Sequence, residues 1–232
     1  MKILAIETSG PVAGAAVLED DMLIAEYALN YKMTHSQTIM PITDEILRRT
    51  ETDPATLDYI ACSSGPGSFT GLRIGAATAK GLALALSIPV VPVPTLDSLA
   101  YNIFNHPGII CPVMDARRSE LYTGFYTWRA GKLQRIGEPA ALPKDEVMKK
   151  AASFGETVVF LGDGVKVIRE KISEKPEFIS APGSLNMQRA SSVAALAMEI
   201  VLSGRIPPFE IDYLRKSQAE RELACKKGLG DI

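Results

Sequence analysis

The sequence predicts an α/β fold in which one structural unit occurs twice along the chain. Two observations lead to this prediction. Short apolar runs typical of buried strands alternate with longer segments of helical periodicity. The turn-forming cluster Asn105–Gly108 lies near the middle, and the order of three strands, helix, strand and helix that precedes it partly repeats after it. We therefore expect two similar units in tandem.

The first unit is predicted to comprise residues 1–104. Its first strand is the apolar run KILAIET, which a turn separates from two further strands. Thr34 to Gln37 can form a capping box at the start of a helix, and Pro41 is expected to kink that helix slightly. The predicted strands are Lys2–Thr8, Ala13–Leu18, Leu23–Tyr27, Tyr59–Ser63 and Val90–Val93, and the predicted helices are Ser36–Arg49, Thr70–Leu86 and Leu96–Phe104.

The second unit is predicted to comprise residues 105–232. Arg129 to Gly131 can form a hairpin turn between two of its strands, and Gly204 can end its last helix. Strands are predicted at Ile109–Met114, Leu121–Trp128, Lys132–Ile136 and Thr157–Leu161, and helices at Lys144–Phe154, up to Ile172 and at Ser191–Leu202. The duplication predicts two tandem ribonuclease H-like domains, paired as in the actin and sugar-kinase architecture.

Composition sets limits on function. The chain has 232 residues, of which 47% are hydrophobic and 22% charged, as in ordinary globular proteins. Its net charge of −2 argues against binding nucleic acid unaided, which needs a basic surface. The three cysteines form no CxxC pair and fit reduced thiols in the cytoplasm. The longest uncharged apolar run is short and contains three prolines, so no membrane span is expected.

The segment GPGSFTGLRIGAATAKG at residues 65–81 connects a predicted strand to a predicted helix, the usual setting of a phosphate-binding loop. It lacks the Lys-Ser/Thr pair of a P-loop, and its glycines are spaced GxGxxxG rather than GxGxxG. Two interpretations remain: direct anion binding by the helix N-terminus, or a tight turn. Gly65, Gly67 and Gly71 are expected to give the chain a sharp exit from the strand through positive φ.

The helix after this loop is apolar on nearly all sides, apart from Arg73 and Lys80, which lie about 20° apart on a helical projection. The sheet can cover one side, and the other requires a neighbouring helix or another protein. Helix Ser36–Arg49 carries a similarly wide apolar arc. These helices can cover each other, form a partner surface, or both. The candidate interface residues are Ile39, Ile42, Ile46, Arg73, Ile74, Ala77, Thr78, Gly81 and Ala85.

Several motifs, taken in order, resemble those of the TsaB family, bacterial proteins of tRNA threonylcarbamoyladenosine biosynthesis formerly called glycoprotease-like. They are ILAIETS, THSQTIMP, SSGPGSFTGLRIGAATAKGLA, VPTLDSLA, VMDARRSELYTGFY and PPFEIDYLR. GPGSFTGLRIG in its strand–loop–helix setting is the most specific. The similarity runs the length of the chain and implies an actin-like fold.

The resemblance also implies partners. In this family TsaB pairs with TsaD, a larger relative that carries the active site, and TsaE, an ATPase, joins the complex. TsaC supplies threonylcarbamoyl-adenylate. We expect the chain to contact tRNA only as part of the complex, and to form homodimers when TsaD is absent. TsaD has a metal-binding HxxxH where this chain has Thr95 and Leu99 in the two histidine places. Because leucine cannot ligate a metal, we expect neither a metal site nor catalytic residues.

Actin-like kinases bind phosphates with hairpins of acid and glycine residues. The first hairpin here keeps Glu7, Ser9 and Gly10, which are weak candidates for cofactor binding, although Glu7 can instead bond to its own turn. The second hairpin, Asp115–Arg118, has no glycine, and Asp163 would repel a nucleotide. We therefore expect no cofactor. The alternative function is an independent actin-fold kinase or ATPase. The segment Lys216–Lys227 mixes basic residues with two glutamates and is typical of a solvated tail, and its basic end could instead contact tRNA within a complex.

Overall fold

A computed structural model of the chain describes residues 1–31 and 33–214. The basic tail singled out in the sequence, Lys216–Lys227, lies outside the described residues. Within them the chain forms two β-sheets, of five and seven strands, with helices packed on both faces of each.

The first sheet has the strand order β3-β2-β1-β4-β5. The antiparallel strands β1 to β3 form a meander, and β4 and β5 continue the sheet in parallel to β1. Helices α1 and α2 cover one face and enclose an apolar core with β1, β2 and β4. The strands are β1 (Lys2–Glu7), β2 (Ala13–Glu19), β3 (Met22–Leu29), β4 (Tyr59–Gly65) and β5 (Val90–Pro94), with α1 (His35–Arg49), a 3-10 turn (Pro54–Thr56) and α2 (Phe69–Leu86) between them.

The second sheet repeats this plan. Its main strand order is β10-β7-β6-β11-β12, with β6 and β7 antiparallel, β6 and β11 parallel, and a β8–β9 ribbon attached to β6. Helices α4 and α5 cover one face. The elements are β6 (Ile109–Asp115), β7 (Glu120–Thr123), β8 (Tyr126–Arg129), β9 (Lys132–Arg135), β10 (Ala140–Pro143), α4 (Lys144–Ala152), β11 (Val158–Leu161), α5 (Val165–Ser173) and β12 (Phe178–Ser180).

The two halves exchange helices. Helix α3 (Thr95–Tyr101) follows the last strand of the first sheet, yet Leu96 and Leu99 pack against β6, β8 and β11 of the second sheet. Helix α6 (Ala190–Leu202) follows the second sheet, yet its apolar face packs on β1 and β2 of the first. Each sheet is therefore closed on one face by a helix from the other half.

The predicted fold class is confirmed: the chain consists of two ribonuclease H-like halves in an actin-like arrangement. The short strands β10 and β12 have no counterpart among the predicted strands, and the single strand predicted over residues 121–128 is divided into β7 and β8. Strands of three or four residues give too little alternation for a clear pattern. The predicted boundary between residues 104 and 105 separates the two sheets, but α3 and α6 each pack across it on the sheet of the other half. The division into two domains stays a prediction.

Candidate interaction face

Two glycines of the 65–71 segment bring helix α2 close to the turn that follows β1. A Cβ on Gly71 would lie 2.1 Å from the carbonyl oxygen of Thr8, and one on Gly67 would lie 2.4 Å from that of Ser9. The Ser68 N–H donates to the Ser9 carbonyl oxygen at 2.7 Å, and the Thr8 hydroxyl donates to the Gly71 carbonyl oxygen at 2.8 Å. The loop thus binds the chain's own backbone.

The sequence-based reason for these glycines was partly wrong. Of the three, only Gly65 has a positive φ, at 120°. Gly67 and Gly71 are needed because another segment of main chain passes where a side chain would be. The requirement is close packing between α2 and the first turn, a long-range contact with no local sequence signal.

The outer face of α2 is exposed and largely apolar. Ala77, Gly81 and Ala85 are exposed, and a Cβ on Gly81 would have no heavy atom within 4 Å. Leu84 lies between Arg73 and Ala77 on the helical projection and is 83% exposed, so it belongs to this face, although the predicted interface residues do not include it. The opposite face of α2 is buried against the sheet at Leu72, Gly75, Ala76, Ala79 and Ala83.

Helix α1 contributes less to this face than predicted. Ile39 and Ile46, two of the predicted interface residues, are 1% and 0% exposed and lie in the core beneath α1 rather than on the exposed face. The wide apolar arc of α1 is largely used to cover the sheet. Ile42 is half-buried, and Met40, which is not among the predicted interface residues, is 46% exposed. On α2, Ile74 and Thr78 are half-buried and Arg73 is exposed.

Glu7, a weak cofactor candidate, is enclosed. Its side chain is 0% exposed, and its carboxylate accepts hydrogen bonds from the Ser9 N–H at 2.6 Å, from the Ser9 hydroxyl and from the Ser63 hydroxyl. Burial raises the pKa of Glu7 above its ordinary value of 4.5, and the three hydrogen bonds oppose that shift in part. Gly10 packs against Gln188, since a Cβ there would lie 2.5 Å from that side chain.

We expect the free energy of unfolding of the Glu7→Gln variant, relative to that of the parent chain, to increase as pH rises. A raised native pKa means that the folded chain binds more protons than the unfolded chain above pH 4.5, so parent stability falls as pH increases through the native pKa. Glutamine does not titrate, and its amide can accept from Ser9 and donate to the Ser63 oxygen. Urea unfolding of both chains between about pH 4.5 and 8 measures the difference. Glu156→Gln, at an exposed position, is the control; a pH-independent difference for Glu7→Gln would contradict the prediction.

A polar cleft of about 500 Å³ separates the two halves, beside the start of α2. Asp115, Arg117, Asp163 and Lys166 line its second-half wall. The Asp163 carboxylate accepts from the Asp115 N–H and from the Gln188 amide, both at 3.4 Å, and burial raises its pKa. The turn that contains Arg117 has three consecutive non-glycine residues with φ between 54° and 67°. Their side chains occupy the positions where the glycines of a phosphate-binding hairpin would leave the backbone N–H groups accessible.

The two residues that the family resemblance places at metal-binding histidine positions are part of the protein interior. Thr95 and Leu99 are both 0% exposed, and the Thr95 hydroxyl oxygen accepts from the Gly65 N–H at 3.2 Å. Leu99 lies in the core between α3 and the second sheet. Across residues 1–31 and 33–214, no group of three or more His, Cys, Asp or Glu side chains is arranged to hold a metal ion. No helix in that same part of the chain is long and apolar enough to cross a membrane.

Duplicated sheets, exchanged helices and an inter-lobe cleft define a protein of the actin-like class, here with an exposed apolar helix beside the cleft. The family model described as TsaD, tRNA N6-adenosine threonylcarbamoyltransferase, matches residues 23–221. The chain belongs to this family and, within it, to the TsaB family.

The similarity to individual TsaB proteins covers nearly the whole chain. The tRNA threonylcarbamoyladenosine biosynthesis protein TsaB of Bacillus subtilis is 35% identical over 95% of this chain and 96% of its own length. The Escherichia coli protein of the same name is 27% identical over 98% of this chain and 100% of its own. The solved structure of YeaZ from Pseudomonas aeruginosa superposes with a TM-score of 0.73 at 27% identity, covering 88% of this chain and 93% of that one.

Proposed function

We propose that this chain is a non-catalytic subunit that binds TsaD and organises it for threonylcarbamoyl transfer to the adenosine next to the anticodon of tRNA. The observation that carries the proposal is the exposed apolar face of α2, where Ala77, Gly81, Leu84 and Ala85 are exposed and lie outside the core that α2 forms with the first sheet. Membership of the TsaB family, whose curated members are named for tRNA threonylcarbamoyladenosine biosynthesis, supports the pathway.

The shape of this face favours a helix as the contacting element. Gly81 and the two alanines leave the α2 backbone accessible, so a helix with small side chains can approach closely. A soluble chain gains from covering such a face, and the same patch would support homodimers when TsaD is absent. TsaE would join the assembled complex, tRNA would be bound only through it, and the complex would act in the cytoplasm.

The direct test is co-purification. Tagged chain and TsaD from the same organism are mixed, and the complex is isolated by size-exclusion chromatography. A stable complex supports the proposal, and a chain that elutes separately from TsaD at micromolar concentrations would overturn it.

A second test concerns ATP. We expect the isolated chain to bind ATP weakly and to show no sustained hydrolysis, because Glu7 is enclosed and the Asp115–Arg118 turn presents side chains rather than backbone N–H groups. Phosphate release is measured with chain free of TsaD and TsaE. Repeated turnovers would instead support the independent kinase or ATPase function.

A further inference from the structure

The last described residues form a strap, residues 207–214, that returns from the end of α6 to the start of α2. The Asp212 N–H donates to the carbonyl oxygen of Ser64 at the end of β4, at 2.7 Å. Phe209 packs on the core beneath α1 and α2, and the Tyr213 ring lies against that of Phe69, with centroids 5.0 Å apart. Pro207 and Pro208 restrict the backbone at its start.

The strap explains why residue 65 is a glycine. A Cβ on Gly65 would lie 2.2 Å from the Asp212 carbonyl oxygen and 3.1 Å from its carbon, and Gly65 also has φ at 120°. Only glycine fits where two stretches of main chain meet this closely in such a conformation. The first glycine of the GPG segment, Gly65, therefore leaves the space that the backbone of the strap occupies.

The strap also holds the two cations of the outer α2 surface. The Arg73 guanidinium stacks 3.8 Å from the centroid of the Phe69 ring, and its Nε–H donates to the Tyr213 hydroxyl at 3.1 Å. The Lys80 ammonium lies 5.0 Å from the centroid of the Phe209 ring. Both cationic residues remain exposed, so a partner can reach them.

The positions of these cations relative to the apolar stripe follow from helix geometry. Arg73 and Lys80 are seven residues apart, which places them about 10 Å apart along the helix and within about 20° of each other around it. Ala77, Gly81 and Ala85 lie farther round α2, towards the side that carries half-buried Ile74 and Thr78. The aromatic contacts keep both long side chains on the strap side, clear of the small residues.

We propose that the strap is part of the partner-binding face: it fixes Arg73 and Lys80 as a cationic edge that binds two carboxylates on the partner helix, spaced by about two turns. This inference rests on the proposed function. Cations held by aromatic rings lose less side-chain entropy on binding than free ones, and carboxylates are their chemical complement. The apolar stripe supplies contact area, and the cationic edge sets the register of the partner along α2.

The test is a double-mutant cycle with TsaD as the binding partner. Tyr213→Phe keeps the ring on Phe69 and removes only the hydroxyl that accepts from Arg73. We expect Tyr213→Phe to weaken TsaD binding about two- to fivefold, the size of one cation–aromatic or hydrogen-bond contact. In an Arg73→Gln background the same change should have no effect, because the group it positions is gone. Arg73→Gln and Lys80→Gln should each reduce the dependence of affinity on salt.

A variant of Gly65 tests the strap itself. Gly65→Ala should release the strap and speed hydrogen exchange of the Asp212 amide, with TsaD binding weakened at least as much as by Tyr213→Phe. Gly137→Ala is the matched control, because Gly137 also has a positive φ, of 79°, but has no heavy atom within 4 Å of a Cβ. If Gly65→Ala does not fold, the double-mutant cycle of Tyr213 and Arg73 still tests whether the strap contributes to TsaD binding.

The outcomes separate the two proposals. If the parent chain does not bind TsaD, the proposed function fails and this inference fails with it. If the parent binds TsaD but Tyr213→Phe has no effect, or has an equal effect with and without Arg73, only the cationic edge is overturned.

Discussion

Gly81→Glu is expected to weaken TsaD binding by on the order of 100-fold or more while the chain still folds. Position 81 is exposed on α2, and no heavy atom lies within 4 Å of a Cβ there, so the new side chain meets open space in the isolated chain. In a complex, the carboxylate would be buried without a partner at the centre of the apolar stripe. Such burial costs at least about 2–3 kcal/mol, or on the order of 100-fold in affinity.

Ala77→Asp, one turn away on the same exposed stripe, should act in the same way through a shorter side chain that reaches water less easily. Gly183→Glu is the control, since Gly183 also has no heavy atom within 4 Å of a Cβ and lies far along the chain from α2. Binding is measured by titration with TsaD, and folding by circular dichroism and thermal unfolding. Undiminished binding by both folded α2 variants would show that the interface lies elsewhere.

The second large effect concerns the free energy of unfolding. Replacing two glycines of α2 by alanine, at positions 71 and 81, should change it in opposite directions. Gly71→Ala places a Cβ 2.1 Å from the Thr8 carbonyl oxygen and 3.3 Å from the His35 ring. Backbone cannot yield cheaply, so α2 must shift from the first turn, at a cost of about 1–3 kcal/mol. Gly81→Ala meets nothing and should stabilise the chain by about 0.5–1 kcal/mol through lower unfolded-state entropy.

Urea unfolding of the two variants and the parent, at one protein concentration, measures both effects. The concentration must be fixed because self-association through α2 would add to apparent stability. Midpoints that move in the same direction for Gly71→Ala and Gly81→Ala would contradict the assignment of Gly71 to close packing.

Local patterns were sufficient to predict the duplicated fold and the exposed side of α2. The strand runs are long and apolar, and the stripe of Ala77, Gly81 and Ala85 follows directly from helical periodicity. Burial of Ile39 and Ile46 could not be predicted in the same way, because the arc of α1 does not reveal how much of it the sheet covers. The role of Gly65 depends on a residue almost 150 positions later, Asp212, and no short-range pattern carries that information.

The exchange of α3 and α6 between the halves bears on how the protein is made. While the ribosome synthesises the chain from its N-terminus, the face of the first sheet around Ile3 and Ala16 stays uncovered until residues 190–202 have emerged. The nascent first half therefore presents an apolar surface while the whole second sheet is being synthesised, and chaperones bind surfaces of this kind. The core between the first sheet and α6 is completed only after the second sheet has been synthesised, so the two halves mature together rather than in sequence.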